Sequence, residues 1–210
     1  MCPAPGNPGR TGLAALADRG CGYGCQPGTD LPAYGRGTAS LKMEAAFPAS
    51  NIRRMTVEDV PEVYALDVLS FNLPWTQRSF LYEVKENVNA RNWVVDGFLS
   101  GRQRLVAMLV IWLILDEAHI ATLAIHPEFR RQGIARRLLQ TALNASYNEG
   151  ACRAYLEVRA GNVAALAMYH ELAFEVVGRR PRYYHDNNED ALLMTLENLQ
   201  PYPLDTGRKS

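Results

Sequence analysis

Neither sign of charge dominates this chain: 22 Lys and Arg are matched by 22 Asp and Glu across 210 residues. No global field gathers a polyanion, so any contact with phosphate has to be local and direct binding of nucleic acid is not expected. Long apolar runs are missing as well. The longest, Leu105 to Leu115, falls far short of the roughly 20 residues that a membrane span requires, so it reads as a buried strand and no membrane partner is expected. Cysteine is sparse: Cys2, Cys21, Cys25 and Cys152 are scattered, and the segment after Met1 lacks the basic start and apolar middle of a secretory signal. A reducing cytoplasm is the expected location. Cys21 and Cys25 have no second Cys or His pair nearby, so no metal is expected. The phosphate-binding patterns G-x-x-x-x-G-K-[ST] and G-x-G-x-x-G are absent from the strand-to-helix junction discussed below.

What is present describes one globular domain of about 150 residues plus an extension. Hydrophobic residues make up 48% and charged residues 21% of the chain, a soluble composition. Residues 1–48 are crowded with Gly and Pro and carry little periodic hydrophobicity, so they read as a disordered tail. A folded domain is expected over 49–200, followed by a short tail over 201–210.

The domain is organised around Ala118 to Thr141. Ile120, Leu123 and Ile125, with small Ala121 and Ala124, read as a mostly buried strand that Pro127 ends. From Gly133 onward Ile134, Leu138, Leu139, Ala142 and Leu143 recur at helical spacing. The helix start, Arg130-Arg131-Gln132-Gly133-Ile134-Ala135, offers unpaired backbone N–H groups, the positive end of the helix dipole and flanking guanidinium groups. Gly133 and Ala135 let an anion approach the backbone closely. Taken alone, the same pattern also suits an ordinary solvated helix end.

Around this junction the expected elements follow in order. Asn51 to Met55 form a first strand, and Thr56 caps a helix running to about Ser70. Phe71 to Trp75 form a loop, and Thr76 caps a second helix to about Glu86. Strands are expected at Trp93 to Leu99 and Leu105 to Leu115, joined by a Ser100-Gly101 turn. Gly150 ends the long helix, Ala154 to Val158 form a fifth strand, and Asn162 caps a short helix. Phe174 to Val177 and Leu192 to Leu196 complete a sheet, linked by the polar segment Arg179 to Asp190.

This order, with R-R-Q-G-I-A after the fourth strand, resembles the GNAT superfamily of acyl-CoA N-acyltransferases, whose signature is [QR]-x-x-G-x-[GA]. Arg130, Gly133 and Ala135 occupy its fixed positions, and Leu156 to Phe174 resemble the next signature elements. With F-N-L-P-W-T, R-R-P-R-Y-Y and N-E-D-A-L-L-M, the resemblance is closest to RimI-type protein N-α-acetyltransferases. It implies an α/β GNAT fold: one mixed, mostly antiparallel seven-stranded sheet, splayed between strands 4 and 5 and flanked by about four helices. It implies acetyl-CoA as co-substrate, with no metal, and a protein N-terminus as partner, the alanine of a small-subunit ribosomal protein among the candidates. The enzyme is expected to be a monomer or weak dimer.

Carried over residue by residue, the resemblance places Leu123, Ala124 and Ile125 along the acetyl-CoA arm. It places Arg130, Arg131, Gln132, Gly133, Ile134, Ala135 and Arg136 around the pyrophosphate, and Asn162 against the arm. Glu157 matches the general base and Tyr169 the general acid. Phe71, Leu73, Pro74 and Trp75 on one side, and Tyr183 and Tyr184 on the other, would form the peptide end. Each has a plainer reading: Glu157 as a surface carboxylate paired with Arg159 or Arg153, Tyr169 as a core aromatic, and Trp75 and both tyrosines as loop packing. Trp75 stands where eukaryotic and archaeal relatives often carry a catalytic glutamate, which leaves Glu157 as the base. Strand alternation puts Leu156 and Val158 on one face and Tyr155, Glu157 and Arg159 on the other. His119 and His126 read as strand-end surface residues. A lysine or small-amine acetyltransferase, and a coenzyme-binding module without catalysis, are the alternatives.

Overall fold

The computed structural model describes residues 52–203; the expected tail over 1–48, Cys21 and Cys25 lie outside the described residues. The chain forms β1 (Ile52–Arg54), a short 3-10 turn (Val57–Asp59), α1 (Val60–Ser70), α2 (Gln77–Lys85), β2 (Ala90–Leu99), β3 (Arg102–Ile114) and β4 (Glu117–Ile125). After a second 3-10 turn (Pro127–Phe129) come α3 (Ile134–Asn148), β5 (Arg153–Arg159), α4 (Val163–Glu171), β6 (Glu175–Tyr184) and β7 (Glu189–Leu196).

All seven strands join one sheet in the order β1-β2-β3-β4-β5-β7-β6. Only β4 and β5 pair in parallel; the other neighbours are antiparallel. The expected mixed seven-stranded sheet and its four helices are therefore present. Ser100 and Gly101 both have positive φ, 52° and 76°, the backbone of a two-residue hairpin turn whose twist matches the strands it joins.

Each face of the sheet carries its own core. Ile134, Leu138, Leu139 and Leu143 of α3 pack with Tyr169 and Leu172 against one face. Val60, Val63 and Leu66 of α1 and Phe80 of α2 cover the other. β3 lies between the two cores, its residues Val106, Leu109 and Ile111 on one side and Leu105, Met108 and Val110 on the other. A strand buried on both faces shows no alternation, which is why Leu105 to Leu115 is continuously apolar.

The helix ends follow the capping chemistry. The Asp59 carboxylate accepts from Thr56 N–H at 2.8 Å, the Thr76 hydroxyl accepts from Ser79 N–H at 3.0 Å, and the Asn162 side chain accepts from Ala165 N–H at 3.2 Å. Gly150, at φ 105°, turns the chain out of α3, a backbone that glycine adopts without strain.

Two boundaries differ from expectation. The polar segment from Arg179 onward is not a linker: β6 continues to Tyr184 and turns back into β7 at Glu189. As the outermost strand it is solvated along most of its length, so its sequence lacks the apolar alternation that marks half-buried strands. The chain also stays attached past residue 200. Tyr202 exchanges backbone hydrogen bonds with the Asn144 side chain at 2.8 and 3.0 Å, and its phenol donates to Leu172 O at 2.8 Å.

Candidate active site

β4 and β5 stay paired only from Glu117↔Arg153 to Ile120↔Leu156. Beyond that point β4 continues along β3 as far as Ile125↔Ala107, while β5 continues along β7 through Arg159↔Ala191. The two strands therefore separate at their C-terminal ends. A bulge helps: Thr122 faces Val110 but Ile120 faces Ile111, so Ala121 is an extra residue that turns the rest of β4. Past Ile120 and Leu156 the two edges no longer pair with each other, which leaves a notch between the ends of β4 and β5 and frees the β4 edge from Leu123 to Ile125 from β5.

At the mouth of that notch α3 begins. Gly133, its N-cap, has φ 73° and brings no side chain to cap the helix, unlike Thr76 and Asn162 at α2 and α4. The first intrahelical bond runs from Arg137 N–H to Gly133 O at 3.1 Å. The amides of Ile134, Ala135 and Arg136 precede it, and they carry the positive end of the helix dipole. Arg131 also has positive φ, 64°; left-handed residues on either side of Gln132 fold the turn into the kind of amide-lined concavity that holds anions. A Cβ placed on Gly133 would meet no protein atom within 4 Å, so open space lies where a phosphate would approach.

The side chains of this segment do different things. Ile134 is buried in the core and contributes only its backbone. Arg130 Nε donates to Ile125 O at 3.1 Å, fastening the turn to the end of β4, and Gln132 Nε2 donates to Glu128 O at 3.1 Å. Arg136 pairs with Glu171 on α4 at 2.7 Å. Asn162 spends its oxygen as the α4 cap.

On β5 burial alternates strictly, Leu156 and Val158 inward and Glu157 outward. Neither expected partner of Glu157 is used. Arg153 pairs with Asp116 at 2.8 Å, and Arg159 binds Asp186 at 2.9 Å and Glu189 at 3.2 Å. Glu157 pairs instead with Arg180 on β6, at 3.2 Å across β7. Tyr169 is 7% exposed and packs against Phe174 with ring centroids 5.8 Å apart. Burial, and then the charge of a neighbouring Tyr184, raise its phenol above the ordinary value, so it stays protonated at neutral pH. Burial pushes the Tyr184 phenol up to about 12 although Arg159, 3.9 Å over its ring, opposes the shift.

The loop after α1 and the turn between β6 and β7 are joined by one side-chain contact. Asn72, in the loop between α1 and α2, donates to Asp186 at the β6–β7 turn at 2.8 Å. Leu73 is 63% exposed, and Phe71 and Tyr183 are 38% and 37% exposed. Pro74 is exposed beside them. Trp75 is half-buried, packed on Phe80 at 5.4 Å and Trp112 at 6.3 Å. Its role as packing and its place in the loop coexist. A surface hollow of about 400 Å³ lined by Val57, Val60, Pro61, Gln77, Arg78 and Leu81 contains none of these residues. His119 stacks on Tyr155 at 5.2 Å and His126 meets Phe129 edge-on at 5.8 Å, both in structural roles. Among the described residues no group of acidic, His or Cys side chains is arranged to hold a metal, and no helix is long and apolar enough to cross a membrane.

One residue of this region escaped the sequence reading. Asp67 of α1 is fully buried; its Oδ2 accepts from Trp75 N–H at 2.7 Å, while Oδ1 has no partner among the described residues. It thus fastens the end of the 71–75 loop to α1. The signal was an acidic residue four after core-facing Val63. Burial raises this carboxyl to about 6. The folded state therefore holds the proton more tightly than the unfolded chain, so the group favours folding below about pH 4 and that contribution is lost as pH rises through about 6. Asp67→Asn keeps an oxygen for Trp75 N–H without the buried charge. It is expected to raise the Tm at about pH 7.5 and to raise it less at about pH 5; a gain equal at both pH values in thermal melts contradicts this.

Residues 60–174 match the family described as the Acetyltransferase (GNAT) family. The protein described as a putative ribosomal protein bS18-alanine N-acetyltransferase of Bacillus subtilis (strain 168) is 38% identical over 145 residues, 68% of this chain and 92% of that protein. The ribosomal protein bS18-alanine N-acetyltransferase of Escherichia coli (strain K12) is 30% identical over 149 residues, 70% of this chain and 97% of that one. The crystal structure of the ribosomal-protein-S18-alanine N-acetyltransferase from Escherichia coli superposes with a TM-score of 0.63 at 29% identity, covering 73% of this chain and 96% of that chain. The matched span contains the parted strands, the uncapped glycine turn and the helix that carries Tyr169, and the chain belongs to the GNAT family of N-acetyltransferases.

Proposed function

We propose that this enzyme transfers acetyl from acetyl-CoA to the N-terminal α-amine of a protein, with the terminal alanine of ribosomal protein S18 as the first substrate to test. The observation that carries the reading is the 38% identity to a relative named for that reaction, extending over 92% of its length. The amides from Gln132 to Arg136 and the open approach at Gly133 suit a pyrophosphate. The free edge of β4 at Leu123, Ala124 and Ile125 suits an arm that adds to the sheet like a strand, with Asn162 at its side. A backbone amide near Ile125 would polarise the thioester carbonyl.

The amine must attack without its extra proton. An α-amine has a pKa of about 8 and a lysine about 10.4, so stripping lysine at neutral pH costs roughly 3 kcal/mol more. A carboxylate acting through a water molecule is then an adequate base, and Glu157 takes the proton as the C–N bond forms. As the C–S bond breaks, Tyr169 gives its phenolic proton to the departing sulfur and is reprotonated from solvent. Phe71, Leu73, Pro74 and Trp75 shape the pocket for the first residue, opposite Tyr183 and Tyr184.

Mass spectrometry on peptides carrying both a free terminus and an internal lysine tests the assignment. Acetyl is expected on the α-amine alone, and blocking that amine is expected to stop turnover. Equal labelling of a terminally blocked peptide would assign the enzyme to lysine or small amines instead.

A further inference from the structure

Glu157 belongs to a cluster the sequence did not foretell. Pairing across the sheet sets Glu157 of β5 in one row with Leu193 and Gly178, and sets Arg159, Ala191 and Arg180 in the row two residues on, which shares its face. Arg180 starts two strands away, about 10 Å at ordinary strand spacing. Its side chain crosses β7 between Ala191 and Leu193, and the guanidinium arrives 3.2 Å from Glu157 Oε1. The same guanidinium lies 5.4 Å from the centre of the Tyr183 ring. Burial, then contact with Glu157, raise the Tyr183 phenol, and Arg180 opposes them. Arg159, two residues along β5, is already held by Asp186 and Glu189. Thus the charged and titratable groups around Glu157 are Arg180, Tyr183 and Tyr184 from β6, with Tyr155 and Arg159 on the same face of β5 itself.

A surface ion pair of this kind is usually worth little to stability. Here one partner stands where the base is needed, and the other comes from the strand that also carries the peptide-facing tyrosines. We infer that Arg180 is a positioning residue for the acetyl transfer: it holds the Glu157 carboxylate in its working rotamer, and places its own positive charge where the incoming amine must bind neutral. The inference rests on Glu157 being the base. A base oriented by a third group is a recurring arrangement in catalysis. The second consequence is electrostatic: a guanidinium beside the amine disfavours the ammonium form, so the nucleophile sheds its proton more readily.

Arg180→Gln, Arg180→Lys, Glu157→Gln and the Glu157→Gln/Arg180→Gln double variant, each checked for an unchanged thermal melt, separate the two claims. For Arg180→Gln, kcat is expected to fall about tenfold, the scale of coupling between residues in contact. The KM for the peptide is expected to stay level or drop, because a like charge has left the ammonium's path. Arg180→Lys should restore most of kcat, and adding Arg180→Gln to Glu157→Gln should cost less than Arg180→Gln costs alone. An unchanged kcat, a raised KM with normal kcat, or a further tenfold loss in the double variant overturns the role of Arg180. Full turnover in Glu157→Gln instead removes the base assignment itself, whatever Arg180 does. If Arg180→Gln melts early, Arg180→Met, of similar bulk and without the charge, takes its place: a kcat about tenfold lower with KM level or lower supports the role, and an unchanged kcat overturns it.

Discussion

Glu157→Gln is expected to lower kcat by about a hundredfold to ten-thousandfold, the range that a positioned general base contributes, while leaving acetyl-CoA affinity unchanged. The separation follows from where the residue sits. Glu157 is on the outward face of β5, so replacing it by an isostere disturbs no core contact. It touches Arg180 and not the helix-start turn that would hold the pyrophosphate. The loss should be steepest near neutral pH and shrink as pH rises above about 8, where the α-amine is already neutral and only the proton released on C–N bond formation is left for a base to take. A variant that keeps its kcat across that range would mean that water or another group takes the proton, and that the Glu157–Arg180 pair is surface structure only.

Gly133→Asp is expected to separate fold from coenzyme binding in the opposite sense. The residue has φ 73° and a Cβ there meets nothing within 4 Å, so the protein itself offers no steric objection. Asp tolerates the left-handed region better than most residues, at a cost of roughly 1–2 kcal/mol. Part of that is returned by a carboxylate at the positive end of α3, worth roughly 0.3–1 kcal/mol. The melting temperature should therefore move little. The same carboxylate would face the pyrophosphate, and like charges set against each other cost several kcal/mol. Acetyl-CoA affinity measured by calorimetry should drop about a hundredfold or more on that scale. Unchanged affinity would place the phosphates away from this turn.

Much of the fold was legible because it rests on short-range signals. Thr56, Thr76, Asn162 and Gly150 announced helix ends by their own chemistry, and Ser100-Gly101 announced a hairpin. The glycine turn before α3 was legible for the same reason, since Gly133 and the arginines around it are contiguous. What stayed hidden depends on partners distant in sequence. Arg180 reaches Glu157 only because β7 lies between β5 and β6, an order that no local pattern states. Arg130 and Arg136 look like phosphate ligands in the sequence, yet Ile125 O and Glu171 claim them in the fold. Asp67 looks like one more solvated helix carboxylate until α1 packs and buries it. The continuation of β6 through Arg179 to Tyr184 was hidden because an edge strand need not alternate.

A crystal structure of the enzyme with a non-hydrolysable acetyl-CoA analogue and an alanine-first peptide tests the central claim most directly. The pyrophosphate oxygens are expected within hydrogen-bonding distance of the amides of Gln132 to Arg136, the arm along Leu123 to Ile125, and the peptide nitrogen facing Glu157 through one water molecule. A nucleotide bound away from α3, or a peptide whose terminal nitrogen lies on the far side of the sheet from Glu157, would contradict the account.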